Sequence, residues 1–374
     1  MDEENPKEKY DEFMELLGRG DIPTAEEWKI FVDYQKLGTP KEVDVGVSLT
    51  NYHKDRRQIL TNFQATGNND EDDEAIDRLL WTEKDKLIHA INELKTALEN
   101  TKSENEDDVL NDLETLGDKV AEDKPKAPVD YTVMIKDNNK LAGKVVAGMS
   151  KFDMNTSPVS SANWLLSRGI RTVITIEYKG CRRTRDAVLQ AGIKWYTCFI
   201  PDWFAPCLDH LKEYSQLVEE RLEEGGVATH CWGGTGRTPC FLASYLLHSK
   251  GVYDAEDAKP NDKVDNAQKA FLQVRKDYHK ESIEMKAQYN ALARYSDYLG
   301  NDPSILYSND LDFNHGGGKW HEEHGDDGIG QDPGHSGKNE QAKNLPDFNR
   351  QAIWKLGKYV YEEDKKIHWE GKQQ

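Results

Sequence analysis

Residues 226–247 read GVATHCWGGTGRTPCFLASYLL, and the stretch changes character twice. Gly226 to His230 is a short apolar run of the kind a sheet buries on both faces. From Pro239 onward the apolar residues recur as in a helix. Between them stand Cys231, Trp232, Gly233, Gly234, Thr235, Gly236, Arg237 and Thr238, with three glycines among the five residues that separate cysteine from arginine. A cysteine with an arginine six positions on is common by chance; strand, glycines and helix together are not. Such a turn gathers backbone N–H groups at a helix N-terminus, which makes an oxyanion site. The helix dipole and Arg237 favour a thiolate at Cys231 there. The same donors suit three phosphate oxygens in line with the sulfur, two of them gripped by the planar fork of Arg237.

Outward from this loop, short apolar runs alternate with helical patterns. Strands are expected at 144–149 (KVVAGM), 171–176 (RTVITI), 194–200 (KWYTCFI) and 226–230, and helices at 161–168, 186–190 and 208–224, with Gly169 and Gly192 closing the first two. The alternation predicts an α/β fold with a mostly parallel central sheet flanked by helices. Ligands in such folds sit outside the carboxyl ends of the strands, here Met149, Ile176, Ile200 and His230. The third strand runs into Ile200-Pro201-Asp202-Trp203-Phe204-Ala205-Pro206, which sets the Asp202 carboxylate at a neighbouring strand end, 29 residues before Cys231. A departing alkoxide or phenolate needs a proton as the P–O bond breaks, and Asp202 is the candidate donor. Asp209, the other nearby acid, falls inside the next helix and reads as a first-turn residue. Arg182, Arg183 and Arg185 follow the second strand, giving either a site for a second phosphate or acidic peptide, or a solvated basic loop.

Over about 131–299 the chain resembles the cysteine-dependent protein phosphatases, specifically their compact dual-specificity branch, whose signature is His-Cys, five residues, Arg and Ser or Thr. The resemblance implies that Cys231 is the nucleophile of a phosphocysteine intermediate, that Arg237 binds phosphate, that Thr238 donates to the departing thiolate, and that His230 orients the loop. Trp232, Gly233, Gly234, Thr235 and Gly236 then wrap the phosphate, and Asp202 occupies the family's general-acid loop. A further likeness lies in Val274, Arg275, Ile283, Glu284 and Gln288, where Gln288 either positions the hydrolytic water or is a plain polar helix residue. The chain departs from the family where Arg-Pro-Gly is usual: Lys276-Asp277-Tyr278-His279 stand there, and Pro239 replaces the glycine after the signature. The resemblance implies no cofactor and no metal.

The signature loop has no lysine, so a phosphoprotein is expected over an inositol lipid. Trp203, Phe204 and Trp232 are placed to wall a pocket for an aromatic phosphoresidue, unless Trp232 packs beneath the loop. The reading is a phosphatase of phosphotyrosine and of phosphoserine/threonine. The alternatives are a catalytically weak phosphopeptide-binding or scaffold module, or a phosphatase of non-protein phosphate esters, since the cradle recognises phosphate and not what hangs from it.

Charge divides the 374 residues, whose formal net charge is −19 and mean hydropathy −0.83. Residues 1–128 carry 17 basic and 33 acidic side chains, 129–300 carry 23 and 21, and 301–374 carry 9 and 14. Pro125 and Pro128 mark the first boundary. The expected organisation is an acidic helical N-terminal region at 1–128, docking or regulatory; a catalytic domain at 129–300; and a partly disordered extension at 301–374 with a helix at 348–361. In the first region helices are expected at 7–17, at 25–35, over Ile76–Leu98 spacing and over Val109–Val120 spacing, with the run at 68–74 as solvated surface or linker. His315, His321, His324 and His335 lie in a glycine-rich stretch without fixed ligand spacing and are not expected to hold a metal. The acidic excess disfavours nucleic acid. No apolar run approaches a membrane span, the first residues are acidic, and five scattered cysteines make no disulfide framework, so an intracellular, reducing, cytoplasmic setting is expected. The acidic segment 66–123 is expected either to engage a partner or to screen the arginine-bearing face, so that a chain starting near Pro128 turns over acidic substrates faster at low salt.

Overall fold

A computed structural model describes residues 5–66, 69–100, 106–136, 145–152, 157–176, 182–198, 200, 205–249, 266–301, 358–361 and 367–370. It divides into two compact units, residues 1–127 with 152–168, and residues 128–151 with 169–374.

The first unit is helical. Helix α1 (Pro6–Gly18) starts at the Asn5 cap, and α2 (Ala25–Gln35) starts at a capping box in which the Glu27 amide donates to Thr24 Oγ1 (3.2 Å) and the Thr24 amide to Glu27 Oε2 (2.7 Å). Helices α4 (Asn69–Glu99) and α5 (Glu106–Glu122) bury the periodic residues Ile76, Leu80, Leu87, Ile91, Leu94, Leu98, Val109, Leu113, Leu116 and Val120. Between α2 and α4 runs α3 (Pro40–Asn62), which the apolar periodicity does not announce. Its buried positions are Val45, Leu49, Tyr52, Arg56 and Leu60, so a charged residue occupies a core site. Arg56 Nη2 donates to Asp123 Oδ1 at 2.8 Å, and the Tyr52 hydroxyl donates to the same carboxylate, so neither charge is buried alone.

Within the acidic run, residues 69–74 are helix and not linker: they open α4, where carboxylates complement the helix dipole, and Asp70, Glu71 and Glu74 are exposed as a solvated surface requires. Asp72 is buried and accepts from the Thr66 amide (2.8 Å) and hydroxyl (2.9 Å), and Asp73 takes Arg168 Nη2 at 2.8 Å. Arg168 follows α6 (Pro158–Ser167), which is buried along its whole length and packs on α3. Helix α6 begins three residues before the expected 161 because Ser157 caps it and Pro158 suits the first turn. Ser157 donates to Asp21, and Ser160 donates to the Lys124 carbonyl. A segment that lies in sequence between two sheet strands thus belongs to the helical unit.

The second unit is α/β, with a central sheet flanked by helices in the strand order β1-β2-β5-β3-β4. The strands are β1 (Thr132–Lys136), β2 (Val145–Met149), β3 (Ile170–Thr175), β4 (Lys194–Thr197) and β5 (Gly226–His230). Pairings β2–β5, β5–β3 and β3–β4 are parallel; β1, which the sequence reading omits, adds an antiparallel edge. Met149 and Thr175 both stand in register with His230, so three strands end together at the loop. Helices α7 (Arg182–Gln190), α8 (Leu208–Leu222), α9 (Arg237–His248), α10 (Ala267–Asp277) and α11 (Lys286–Tyr298) complete the unit. Its core gathers Val227, Leu211, Phe241, Leu246, Phe271, Val274 and Leu292.

Of the expected helix at 348–361, residues 348–357 lie outside the described residues. The last four are a strand instead: β6 (Lys358–Tyr361) pairs antiparallel with β7 (Ile367–Glu370), in keeping with the strand preference of Tyr359, Val360 and Tyr361. The histidines at 315, 321, 324 and 335 also lie outside the described residues. Among the described residues no helix is long and apolar enough to cross a membrane.

Candidate active site

The loop after β5 is held from outside by its carbonyls. His230 Nδ1 donates to the Cys231 carbonyl (3.0 Å), the Lys151 amide to Trp232 (3.0 Å), the Ile283 amide to Thr235 (2.8 Å) and the Cys240 amide to Gly236 (3.4 Å), while Ser150 Oγ sits 3.0 Å from the Gly233 carbonyl. In a trans peptide the carbonyl of one residue and the N–H of the next point oppositely. The amides of Trp232, Gly233, Gly234, Gly236 and Arg237 are therefore turned inward. They face a cavity of about 130 Å³ lined by Cys231, Trp232, Gly233, Thr235, Gly236, Arg237, Glu284 and Gln288. Inward N–H groups at the start of α9 make the cavity a seat for a tetrahedral oxyanion.

Each sequence-identified residue of the loop has a structural reason for its place. Cys231 is 2% exposed at the cavity floor. Arg237, buried in the first turn of α9, donates Nη1 to the Ile200 carbonyl at 2.8 Å, which fixes the plane of its guanidinium. His230 is neutral: burial pushes it down to about 4, and the charges of Lys151 and Arg237 act the same way. Its Nε2 accepts from Thr175 Oγ1 (2.7 Å), and Thr175 in turn accepts from Trp195 Nε1 (2.8 Å), so β3 and β4 set the tautomer that lets Nδ1 hold the loop. Thr238 is fully buried, and its hydroxyl has no hydrogen-bond partner among the described residues. Gln288 is buried at the start of α11, accepts from the Met285 amide (3.4 Å) and lines the cavity.

Trp232 does not pack beneath the loop. It is 54% exposed, with Lys151 Nζ 4.4 Å from its ring centroid. A loop without lysine thus acquires a rim ammonium from the end of β2, a contact that no reading of the loop alone discloses. Glu284 is a second such residue: its carboxylate accepts from Thr235 Oγ1 (2.9 Å) and reaches the cavity because Gly236 has no side chain, a Cβ there standing 2.6 Å from Glu284 Oε2. Ile283 beside it holds φ 59°, strained for a β-branched residue. Arg275 Nε, donating to the Ser282 carbonyl at 3.0 Å, and the Ile283–Thr235 bond keep it there.

Asp202, Trp203 and Phe204 lie outside the described residues. Asp209 stands in the first turn of α8, 3.9 Å from Lys212 Nζ. Arg182, Arg183 and Arg185 open α7, and Arg185 is paired with Asp186 at 2.7 Å. Cys240 is buried in α9, its thiol pushed far up by burial and donated to the Gln288 carbonyl at 3.4 Å. Among the described residues no three His, Cys, Asp or Glu side chains gather as metal ligands.

Residues 147–251 match the family described as polymorphic toxin system, DSP-PTPase phosphatase. The chain is 39% identical over 57 residues to the tyrosine-protein phosphatase CDC14 homolog of Schizosaccharomyces pombe, covering 15% of this chain and 11% of that protein. It is 29% identical over 96 residues to protein tyrosine phosphatase domain-containing protein 1 of Mus musculus, covering 22% and 13%. The match thus spans about a tenth of the length of these relatives. Among solved structures, Tk-PTP in its active form is 20% identical with a TM-score of 0.34, over 45% of this chain and 97% of that one. Kinase associated phosphatase carrying a cysteine-to-serine change is 19% identical with a TM-score of 0.37, over 47% and 98%. The stretch from β2 to the end of α9 carries both the family match and the cradle, and it is this stretch that is similar to the dual-specificity and tyrosine phosphatases of the cysteine-dependent superfamily.

Proposed function

We propose that the chain hydrolyses phosphotyrosine and phosphoserine/threonine in proteins through a phosphocysteine. The observation that carries this reading is the row of inward amides around the Cys231 thiol, with Arg237 at its edge. Phosphate oxygens accept from these amides and from the guanidinium, which leaves phosphorus in line with the sulfur. A thiolate lone pair forms the S–P bond as the ester P–O bond breaks, and Asp202 gives its proton to the departing oxygen. Water then attacks phosphorus and loses a proton to Asp202 while the S–P bond breaks. The buried Thr238 hydroxyl is the donor for the thiolate that leaves, and Gln288 positions the water. Trp232, exposed at the rim, offers a face for the ring of phosphotyrosine. Residues 1–128 act as a docking or regulatory element, and the setting is intracellular.

The test is hydrolysis of aryl phosphates in EDTA by the full chain and by Asp202→Ala. With a leaving group of high pKa the variant is expected to lose about 10²–10³ in kcat, and with a good leaving group far less. Equal losses on both would remove Asp202 from the acid role.

A further inference from the structure

Behind the phosphate loop lies a group the mechanism above does not use. Tyr278 caps α10 and lays its ring on β2: a Cβ at Gly148 would stand 2.7 Å from its Cε2 and 3.0 Å from its Cζ, so the strand passes on a bare Cα. The phenol oxygen then reaches the rear of the loop. A Cβ at Gly234, where φ is 77°, would stand 2.8 Å from Tyr278 Oη, 3.1 Å from Ser150 Oγ and 3.2 Å from the Met149 carbonyl. That oxygen is buried and has no hydrogen-bond partner among the described residues. A phenylalanine would pack on Gly148 equally well without burying an unmatched hydroxyl, so packing does not account for the oxygen.

We propose that Tyr278 is a positioning residue of the phosphate loop, its O–H serving as a rear donor that stabilises the loop when Cys231 carries negative charge. The hydroxyl keeps its proton throughout the working pH range: burial first, then the proximity of Cys231 and of Asp130, push it far above the ordinary tyrosine value. Asp130, whose carboxylate accepts from Ser150 Oγ at 2.6 Å, is the acid on that side of the loop; Glu284 and Arg237 line the cavity with Cys231, and Lys151 stands over the Trp232 ring. A neutral donor at that spot offsets the acid without adding charge to the cavity.

The inference rests on Cys231 being the thiolate nucleophile, and one experiment separates the two. Iodoacetamide alkylation of Cys231 in the full chain is followed from pH 4 to pH 9 by peptide mass mapping, for wild type and Tyr278→Phe. The midpoint of the profile is expected to rise by about one pH unit in the variant, with about tenfold slower alkylation on the acid side, equal rates above both midpoints and an unchanged Tm. The acid limb of kcat/KM should move with it. A Tyr278→Phe profile that is unchanged or shifted downward, whatever its Tm, overturns the inference while leaving the nucleophile standing. Wild-type Cys231 no more reactive at pH 6 than an ordinary thiol overturns the nucleophile reading itself.

Discussion

Cys231→Ser is expected to lower kcat by about 10⁴ or more while leaving phosphate binding nearly intact. The two side chains are close in size, and the thiol sits at the floor of a cavity whose shape is fixed by bonds to loop carbonyls, none of which involves sulfur. A serine hydroxyl stays protonated at neutral pH, and His230 cannot take its proton, being held neutral with both ring nitrogens engaged away from the cavity. The loss therefore falls on kcat, whereas the dissociation constant for inorganic phosphate, read by calorimetry, should stay within a few-fold of wild type. A Cys231→Ser chain that retains several per cent of wild-type kcat would mean that another group attacks phosphorus.

The second large effect concerns the helical unit. A fragment of residues 128–300 is expected to fold poorly, with a Tm at least 10 °C below that of the full chain or with outright aggregation. Helix α6 stays in such a fragment, but its partners do not: α3, the Asp21 carboxylate that takes Ser157, the Lys124 carbonyl that takes Ser160, and Asp73, which takes Arg168. Three lost hydrogen bonds at about 1 kcal/mol each, together with newly exposed Trp164, Leu165 and Val159, amount to roughly 4–8 kcal/mol against a total stability of about 5–15. The expected gain in activity on cutting near Pro128 is therefore set against loss of the fold. Thermal unfolding of 128–300 beside residues 1–301 decides the matter, and a fragment that melts with the full chain would show that α6 does not depend on the N-terminal helices.

What was legible in the sequence was local. Gly226–His230, the glycine turn and α9 form a contiguous signal, because the chemistry of an oxyanion cradle needs strand, glycines and helix in immediate succession. The apolar spacing of α4 and α5 was equally readable, since it is a relation among residues three or four apart. What escaped depends on residues distant in sequence. Helix α3 hid because its core position 56 is an arginine that only Asp123 makes tolerable. Edge strand β1 gives too short a signal, and the acidic run at 68–74 looks like linker until Arg168 and Thr66 are brought to it. Lys151, Glu284 and Tyr278 approach the loop from three separate elements, and Tyr278 is one of the positions where the chain departs from the family's usual Arg-Pro-Gly.

The central claim is that phosphate passes through the sulfur of Cys231. Rapid denaturation during turnover of an aryl phosphate, followed by peptide mass mapping, tests it directly. The expected result is a phosphoryl group on Cys231, approaching one per chain in Asp202→Ala with a good leaving group, where hydrolysis of the intermediate is the slow step. Turnover at the full rate with Cys231 unmodified, or phosphate on any other residue, would contradict the account.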